Sequence, residues 1–337
     1  MKIALIGYGG VGKAFINLLN NKKESLENKN IKIIVNYIIK SDGGLYSPDG
    51  IDLEEIISYE NIKDHKLWSN KTSFKDIISN GDSDTIVELT PTNEVTGEPG
   101  LSYIKNALEK GMNVVTGNKG PILLKYKELK KIAEMNKVSL EIGCTTGGAL
   151  PSVSTGVYGM AGADILSIEG ILNGTSNFIL QQMDSKDNLT YEEALKIAKQ
   201  EGIAETNPKL DVNGVDTAIK MIIITNVLLD KNIKLDDVDI TGITELNEKD
   251  IKEAKNSNGK IKLLGRTFYE NNKLKITVKP TILHEDNLLY SVDGKNKGLV
   301  FCTDTLGDIA VIGGASGVVN AAASILRDII NLKHTNY

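Results

Sequence analysis

The stretch from Glu205 to Lys220, ETNPKLDVNGVDTAIK, places three acids ahead of a lysine, Lys220, that enters an apolar segment. Asp216 and Lys220 stand four residues apart, so on a helix they share one face and can pair. Glu205 and Asp216 would suit an ammonium group on a substrate, and a buried Lys220 would suit proton transfer to an oxygen. The alternative is a charged helix start, in which Asp211 and Asp216 favour the macrodipole by roughly 0.3–1 kcal/mol each. This alternative explains Asp211 but not Lys220, because a cation in the first turns of a helix is unfavourable.

A glycine-rich turn follows the first apolar run of the chain. The sequence KIALIGYGGVGKAF places Gly7, Gly9 and Gly12 in a G-x-G-x-x-G motif between a predicted strand and a predicted helix. In this context the first glycine permits a tight turn, the second lets a pyrophosphate approach, and the third lets helix and strand pack closely. The helix N-terminus then attracts the phosphates. We therefore predict a dinucleotide site formed by Gly7, Gly9, Gly10, Val11 and Gly12.

The second predicted strand, roughly 31–39, bears on the choice between NAD and NADP. A site for NAD would end this strand with an acid that accepts the ribose 2′-hydroxyl. Lys40 and Ser41 stand there instead, and Asp42 is the first acid to follow. A cation and a hydroxyl suit a 2′-phosphate, although the same lysine would also be ordinary on a surface. Lys40 therefore favours NADP, with NAD as the alternative.

Two further apolar runs, DTIVELTPTNE (84–94) and MNVVTGNKGPI (112–122), are typical of buried parallel strands. Ligands of doubly wound sheets bind at the carboxyl ends of such strands. Thr90 and Asn118-Lys119 follow these ends, where a nicotinamide would lie. Lys119 is therefore a second candidate for proton transfer, provided that it and Lys220 face one cleft.

Cys144 offers a different chemistry. The residues 143–146, GCTT, resemble the nucleophile loop of phosphorylating aldehyde dehydrogenases such as glyceraldehyde-3-phosphate dehydrogenase. A phosphorylating semialdehyde dehydrogenase of this kind needs a thiolate and a nearby base, normally histidine. Of His65, His284 and His334, only His284 follows a predicted strand end, and the flanking GGALP favours a small buried cysteine in a tight turn. A non-enzymatic NADP-sensing protein on the same fold is the remaining alternative.

The composition narrows the class of protein. The net charge is −5 and no Lys/Arg stripe with interleaved aromatics is present, which argues against nucleic-acid binding. No apolar run reaches the roughly 18 residues that a membrane span needs, and the N-terminus lacks a secretory signal. Two cysteines do not form a disulfide framework, so we expect a cytoplasmic protein. The candidate site residues described above predict a small-molecule substrate.

The predicted elements indicate an α/β fold with two domains. A Rossmann-type doubly wound nucleotide-binding domain is expected at 1–137, and a mixed α+β domain for substrate binding and dimerisation at 138–310. The closing segment 311–337 is predicted as a helix that packs back on the nucleotide-binding domain. In the second domain, Thr190 and Glu193 form a predicted capping box, and 260–283 reads as a hairpin around an ENNK turn.

The chain as a whole resembles the homoserine dehydrogenase family. The resemblance rests on GYGGVG (7–12), LTPT (89–92), TGNKGP (116–121), TTGGALP (145–151), GILNGTSNFIL (170–180), AETNPKLDVNGVDTAIK (204–220) and GGASG (313–317). It implies interconversion of L-aspartate 4-semialdehyde and L-homoserine with NAD(P)H, in the biosynthesis of threonine, methionine and isoleucine. By resemblance, the catalytic lysines fall on Lys119 and Lys220, and the substrate-binding acids on Glu205 and Asp216 with Asp211 in support.

The resemblance also implies cofactor contacts at Thr90, Lys119 and Gly317, and a homodimer. Some family members hold a monovalent cation such as Na⁺ through backbone oxygens of one loop, and the matching positions are Gly143, Thr146, Gly148 and Leu150. Two departures stand out: the family's E-A-D-P reads ETNP at 205–208, and its G-P-G-A-G reads GGASG at 313–317. The second departure weakens the assignment of Gly317. We expect a short, monofunctional enzyme without threonine feedback.

Overall fold

The computed structural model describes residues 1–185, 189–314 and 316–332, and it divides the chain into two compact units. Unit 1 comprises Met1–Thr145 together with the chain from Gly317 onward, and unit 2 comprises Thr146–Ser316. Each unit has its own sheet and its own apolar core. Among the described residues, no helix combines the length and the apolar character that crossing a membrane requires.

Unit 1 contains a seven-stranded sheet in the order β4-β3-β2-β1-β5-β6-β7. Its strands are β1 (Lys2–Ile6), β2 (Ile34–Lys40), β3 (Gly43–Tyr46), β4 (Trp68–Ser69), β5 (Thr85–Glu88), β6 (Asn113–Thr116) and β7 (Leu140–Glu141). The strands from β2 through β1, β5 and β6 to β7 are parallel, whereas β3 and β4 are antiparallel additions. Ile6 pairs with both Ile39 and Glu88, so neighbouring strands end at the same edge. This is the Rossmann-type arrangement that the sequence predicted.

The strand β7 shows that the boundary between the two units lies later in the sequence than the predicted domain boundary at 137/138. Leu140 pairs with Val114 of β6, which adds β7 to the first sheet. Residues 138–145, which the sequence placed in the second domain, therefore belong to unit 1.

The helices of unit 1 surround this sheet. They are α1 (Gly10–Asn21), α2 (Lys23–Glu27), α3 (Leu53–Ser58), α4 (Phe74–Asn80), α5 (Gly100–Glu109), α6 (Lys119–Met135) and α14 (Val318–Asn331), with a 3₁₀ turn at Ile62–Asp64. A short helix α7 (Cys144–Gly147) lies where the chain passes into unit 2. Ile325 and Ile329 of α14 share one apolar cluster with Phe15 and Ile16 of α1, so the closing helix packs within unit 1.

The predicted closing helix 311–337 begins later than expected. Residues 311–313 belong to a strand, because they alternate in exposure and pair with residues 297–299. The helix starts only after Gly317, whose φ of +131° is incompatible with a helix. Residues 333–337 lie outside the described residues.

Unit 2 contains a six-stranded sheet in the order β13-β12-β8-β10-β11-β9. Its strands are β8 (Ile165–Ile171), β9 (Val238–Ile240), β10 (Lys260–Glu270), β11 (Lys273–Leu283), β12 (Lys297–Thr303) and β13 (Asp308–Gly313). All pairs are antiparallel except β11 with β9. The predicted hairpin is confirmed: β10 and β11 join through Asn271 and Asn272, whose φ values of +50° and +60° suit a tight turn.

The helices of unit 2 are α8 (Ser152–Ser154), α9 (Gly174–Met183), α10 (Tyr191–Gln200), α11 (Lys209–Val212), α12 (Val215–Leu228) and α13 (Glu248–Asn256), with a π-helical turn at Thr155–Gly159 and a 3₁₀ turn at Leu235–Asp237. The capping box of α10 is confirmed, since the Thr190 N–H donates to the Glu193 carboxylate at 2.9 Å. The helix α12 lies against the sheet so closely that a Cβ on Gly265 would come within 2.5 Å of Met221. This buried helix carries Asp216 and Lys220.

Candidate active site

The glycine motif of unit 1 has the geometry that each of its positions requires. Gly7 adopts a φ of +100°, and a Cβ on it would lie 2.5 Å from the Leu89 carbonyl oxygen. A Cβ on Gly12 would lie 2.3 Å from the Gly7 carbonyl oxygen, so the third glycine permits close contact between helix and turn. A Cβ on Gly9 would meet no atom within 4 Å, which leaves the turn open at the N-terminus of α1. Val11 belongs to the first turn of that helix.

Two further predicted cofactor residues lie beside this turn. A Cβ on Gly10 would come within 3.1 Å of a Val318 methyl group, so the start of α14 contacts the glycine turn. Gly317 is the N-cap residue of α14 and therefore belongs to the same part of unit 1. These contacts bring Gly317 close to the motif in spite of the altered glycine cluster.

Lys40 ends β2 and is partly buried. The nearest acid, Asp42, forms an ion pair with Lys63. The hydrogen bond from Lys63 lowers the pKa of Asp42, and the charge of Lys40 lowers it further. Two lysines, Lys40 and Lys63, thus lie near Asp42 after the end of β2, and Lys63 is paired with this acid.

A buried carboxylate, Glu88, links the ends of β5 and β6. It is fully buried, and it accepts hydrogen bonds from the Thr90 N–H at 2.8 Å, the Thr116 hydroxyl at 2.8 Å and the Asn118 amide at 3.5 Å. The Thr90 hydroxyl also donates to it. Burial raises the pKa of Glu88, whereas these hydrogen bonds lower it. Glu88 therefore holds Thr90, a predicted cofactor contact, against the next strand end.

The same network reaches Lys119. The Asn118 side-chain oxygen accepts a hydrogen bond from the Gly120 N–H at 3.2 Å and so caps α6, whose first residue is Lys119. A Cβ on Gly100 would lie 2.5 Å from the Asn118 amide nitrogen and 3.2 Å from both Glu88 oxygens, so the start of α5 closes the network. The position of Lys119 is thus determined by a cap that Glu88 holds.

In unit 2 one asparagine joins two of the predicted acids. The Asn173 amide nitrogen donates to Asp211 at 2.6 Å and to Asp216 at 2.9 Å. The Lys220 ammonium donates to the same Asp216 oxygen at 2.5 Å and to the Leu172 carbonyl oxygen at 2.9 Å. The N-cap residue of α12 is Gly214, and Asp216 lies in the first turn of the helix, where its carboxylate joins this cluster.

The acids and the lysine of this cluster are largely buried and carry a net negative charge. The side chains of Asp216 and Lys220 are only 10% and 13% exposed. The pKa of Asp211 is raised, chiefly by burial and also by the charges of Asp216 and Glu205, whereas the Asn173 hydrogen bond and the charge of Lys220 lower it. Glu205, in contrast to Asp216, is exposed to solvent. Three acids and one ammonium leave an excess of negative charge, which can bind a cationic group.

The loop assigned by resemblance to a monovalent cation contains several internal contacts. In unit 2 the Thr146 hydroxyl lies 2.6 Å from the Ser152 hydroxyl, and Gly148 adopts a φ of +59°. The Gly147 carbonyl oxygen accepts hydrogen bonds from the Leu150 N–H at 3.2 Å and from the Lys297 ammonium at 2.9 Å. In unit 1, a Cβ on Gly143 would lie 2.7 Å from the Asp328 carboxylate.

Cys144 packs against the apolar core of unit 1. A Cβ on Gly117 would lie 3.5 Å from its sulfur and 3.8 Å from Ile325. His284, the base that a thiolate mechanism would need, belongs to unit 2. The packing of Cys144 therefore favours a structural role, in which the small side chain fills space in the core, and it argues against a role as nucleophile.

Three functional candidates escaped the sequence reasoning: Glu88, Asn173 and Lys297. The signal for Glu88 was an acid within the apolar run TIVE, and Lys297 likewise precedes the apolar run GLVF. Asn173 stands directly before Gly174, a pattern typical of a turn. In each case a polar residue next to a buried strand was the available signal.

Comparisons with known proteins agree along the whole chain. The family models described as "Homoserine dehydrogenase" and "Homoserine dehydrogenase, NAD binding domain" match residues 151–330 and 7–142. A homoserine dehydrogenase from Methanocaldococcus jannaschii is 35% identical over 338 residues, with 98% of each chain covered. An NAD(+)-dependent homoserine dehydrogenase from Pseudomonas canavaninivorans is 32% identical, with 98% of this chain and 96% of the relative covered. The solved structure of S. aureus homoserine dehydrogenase at pH 8.5 superposes with a TM-score of 0.80 at 29% identity, and covers 100% of this chain and 77% of that one.

Proposed function

This chain belongs to the homoserine dehydrogenase family, and we propose that Lys119, Lys220 and the acids around Asn173 carry the family's reaction. It is an NAD(P)-dependent oxidoreductase that acts on a CH–OH group, with a role in amino-acid biosynthesis. We assign dinucleotide binding to unit 1, and substrate binding and dimerisation to unit 2. The observation that carries the proposal is the cluster in which Asn173 and Lys220 both bind Asp216.

The cluster suits proton transfer at the reacting oxygen. Oxidation of homoserine breaks a C–H bond and an O–H bond, so the hydride and the proton need separate acceptors. The oxidised nicotinamide ring, when bound, would supply the acceptor for the hydride. The Lys220 amine would accept the hydroxyl proton, and in the reverse direction its ammonium would return the proton to the oxygen. Asp216 and the Leu172 carbonyl orient that nitrogen, and Lys119 is the second lysine of the proposal.

The acids suit the ammonium group of an amino-acid substrate. Losing one charge-assisted hydrogen bond costs roughly 1.5–3 kcal/mol, so the variant D216N should raise the KM for homoserine by about one to two orders of magnitude. It should also reduce the preference for homoserine over 4-hydroxybutanoate, which lacks the amino group, while Glu205 and Asp211 retain part of it. The matched control is D236N, since Asp236 is exposed. An unchanged KM in D216N would contradict the proposed amino-group site.

We propose NADP as the preferred cofactor. The support is Lys40 at the end of β2, together with the pairing of Asp42 to Lys63, which removes the free acid that would repel a 2′-phosphate. The measurement is kcat/KM for NADP and for NAD, in the wild type and in K40A, with K29A as the exposed control. K40A should lower kcat/KM for NADP and leave that for NAD nearly unchanged. Preference of the wild type for NAD would instead align it with the relative from P. canavaninivorans.

We also propose a homodimer that forms through unit 2. The support is a set of large apolar side chains in this unit that remain about half exposed: Val157, Tyr158, Leu166 and Ile312. Sedimentation velocity should give twice the chain mass of 36.6 kDa, and a monomer at all concentrations would refute the dimer. The chain has only two cysteines, Cys144 and Cys302, which is too few for a disulfide framework and supports a cytoplasmic location.

The monovalent cation implied by the resemblance fits this loop poorly. The loop offers backbone oxygens, but the oxygen of Gly147, which lies between the assigned positions 146 and 148, already accepts a hydrogen bond from the Lys297 ammonium. Like charges repel strongly when both are buried, so a second cation beside this ammonium is disfavoured. No step of the proposed mechanism therefore passes through a metal ion.

A further inference from the structure

Lys297, the first residue of β12, is a buried lysine whose side chain points to backbone oxygens. It is only 3% exposed. Its ammonium donates to the Gly147 carbonyl oxygen at 2.9 Å and lies 3.4 Å from the Gly314 carbonyl oxygen. Burying an ammonium is unfavourable unless such hydrogen bonds replace its hydration. Both oxygens belong to unit 2, and they lie in turns that are far apart in the sequence.

The two turns are tight and contact each other. Gly314 adopts a φ of +67°, and a Cβ on it would lie 2.4 Å from the Leu150 nitrogen. The turn at Gly147 closes through the hydrogen bond from Leu150, and Gly148 within it adopts a φ of +59°. Two glycine turns therefore meet at Leu150, and the Lys297 ammonium bridges a carbonyl oxygen of each.

We propose that Lys297 acts as a built-in cation for this loop, in place of a bound alkali-metal ion. An ammonium and Na⁺ carry the same charge, and each is satisfied by carbonyl oxygens. The geometry lets Lys297 hold the turn of Thr146–Leu150 against the turn at Gly314, which leads along the chain to Gly317. Lys297 is thus a positioning residue, and homoserine oxidation by this chain needs no added Na⁺ or K⁺. The inference rests on the proposed function only for its activity assay.

The first test compares salts on the wild-type protein. Turnover of homoserine and the midpoint of thermal unfolding are measured in NaCl, KCl and choline chloride at one ionic strength, since general screening by salt is then equal. Both quantities should be the same in the three salts. A saturable rise in either with Na⁺ or K⁺ would overturn the inference. Absence of turnover in every salt would refute the function, and the unfolding midpoints would still decide the cation question.

The second test removes the charge and keeps an unbranched side chain of similar size. The variant K297M should unfold at a lower temperature than the wild type, and Na⁺ or K⁺ but not choline should restore part of the loss. The variant K297R, which keeps a cation, should remain insensitive to the choice of salt. The control is K295M, because Lys295 is exposed two residues away.

Loss of stability in K297M without any rescue by Na⁺ or K⁺ would show an ordinary buried lysine, and the inference would fail. Stability equal to that of the wild type in choline chloride would do the same. If K297M does not fold, the salt comparison on the wild type and K297R decides the matter.

Discussion

Replacing Glu141 with glutamine should make the protein less sensitive to alkaline pH. Glu141 ends β7 in unit 1, where burial and the nearby charge of Asp328 raise its pKa to about 7. Asp328 lies on α14, and burial raises its pKa to about 6, against the charge of Arg327 and hydrogen bonds from the Gly143 and Cys144 N–H groups. The fold therefore favours the protonated form of both carboxyl groups.

The sign and size of the effect follow from these values. A carboxyl group with a higher pKa in the folded state stabilises the fold at low pH and loses that contribution as the pH rises through the folded pKa. For Glu141 the window runs from the ordinary value of 4.5 to about 7. At ~1.4 kcal/mol per pKa unit, the free energy of unfolding should fall by about 2.5 kcal/mol between about pH 5 and about pH 8 through Glu141 alone. Asp328 acts in the same direction over a lower range.

The assay is urea unfolding of the wild type and of E141Q across this pH range. E141Q should lose about 2.5 kcal/mol less than the wild type on going from about pH 5 to about pH 8, since glutamine does not ionise. The control is E134Q, because Glu134 is an exposed carboxylate on α6 and should leave the pH dependence unchanged. Parallel pH profiles for the wild type and E141Q would refute the reasoning.

Three further predictions concern unit 1. E88Q should lower the unfolding free energy by roughly 1–3 kcal/mol and reduce kcat, because its amide would face the donors of Thr90 and Asn118; wild-type values of both would show that Glu88 does not position Lys119. G12A should destabilise the fold by roughly 1–3 kcal/mol, since its methyl group would meet the Gly7 oxygen, whereas G9A should fold normally and bind cofactor more weakly; equal melting temperatures for the two variants would contradict this difference. Alkylation of Cys144 and Cys302 should leave homoserine oxidation largely intact, and loss of this activity would restore Cys144 as a candidate nucleophile.

Patterns between near neighbours in the sequence were predictable. The G-x-G-x-x-G turn, the Thr190–Glu193 capping box and the 260–283 hairpin each depend on residues a few positions apart, whose types determine the local backbone. The pairing of Asp216 with Lys220 was also predictable, because the two residues are one helical turn apart.

Contacts between distant segments were not predictable from these patterns. Glu88 joins Asn118, which is 30 residues away, and Lys297 joins Gly147, which is 150 residues away. Such pairs depend on strand order and on which residues face inward, and a single sequence does not specify either. The same reason explains the boundary at 137/138, since only pairing with β6 assigns β7 to unit 1.

The most direct test of the account is the turnover of K220M with homoserine and NADP or NAD, followed by the absorbance of the reduced nicotinamide. Removal of a general acid–base group should lower kcat by roughly 10²–10⁴-fold. Cofactor binding, measured separately by fluorescence of the reduced nicotinamide, should stay unchanged because Lys220 belongs to unit 2. K209M, an exposed lysine on the adjacent α11, should retain wild-type turnover. Near-normal kcat in K220M would contradict the proposed role of the Asn173–Asp216–Lys220 cluster.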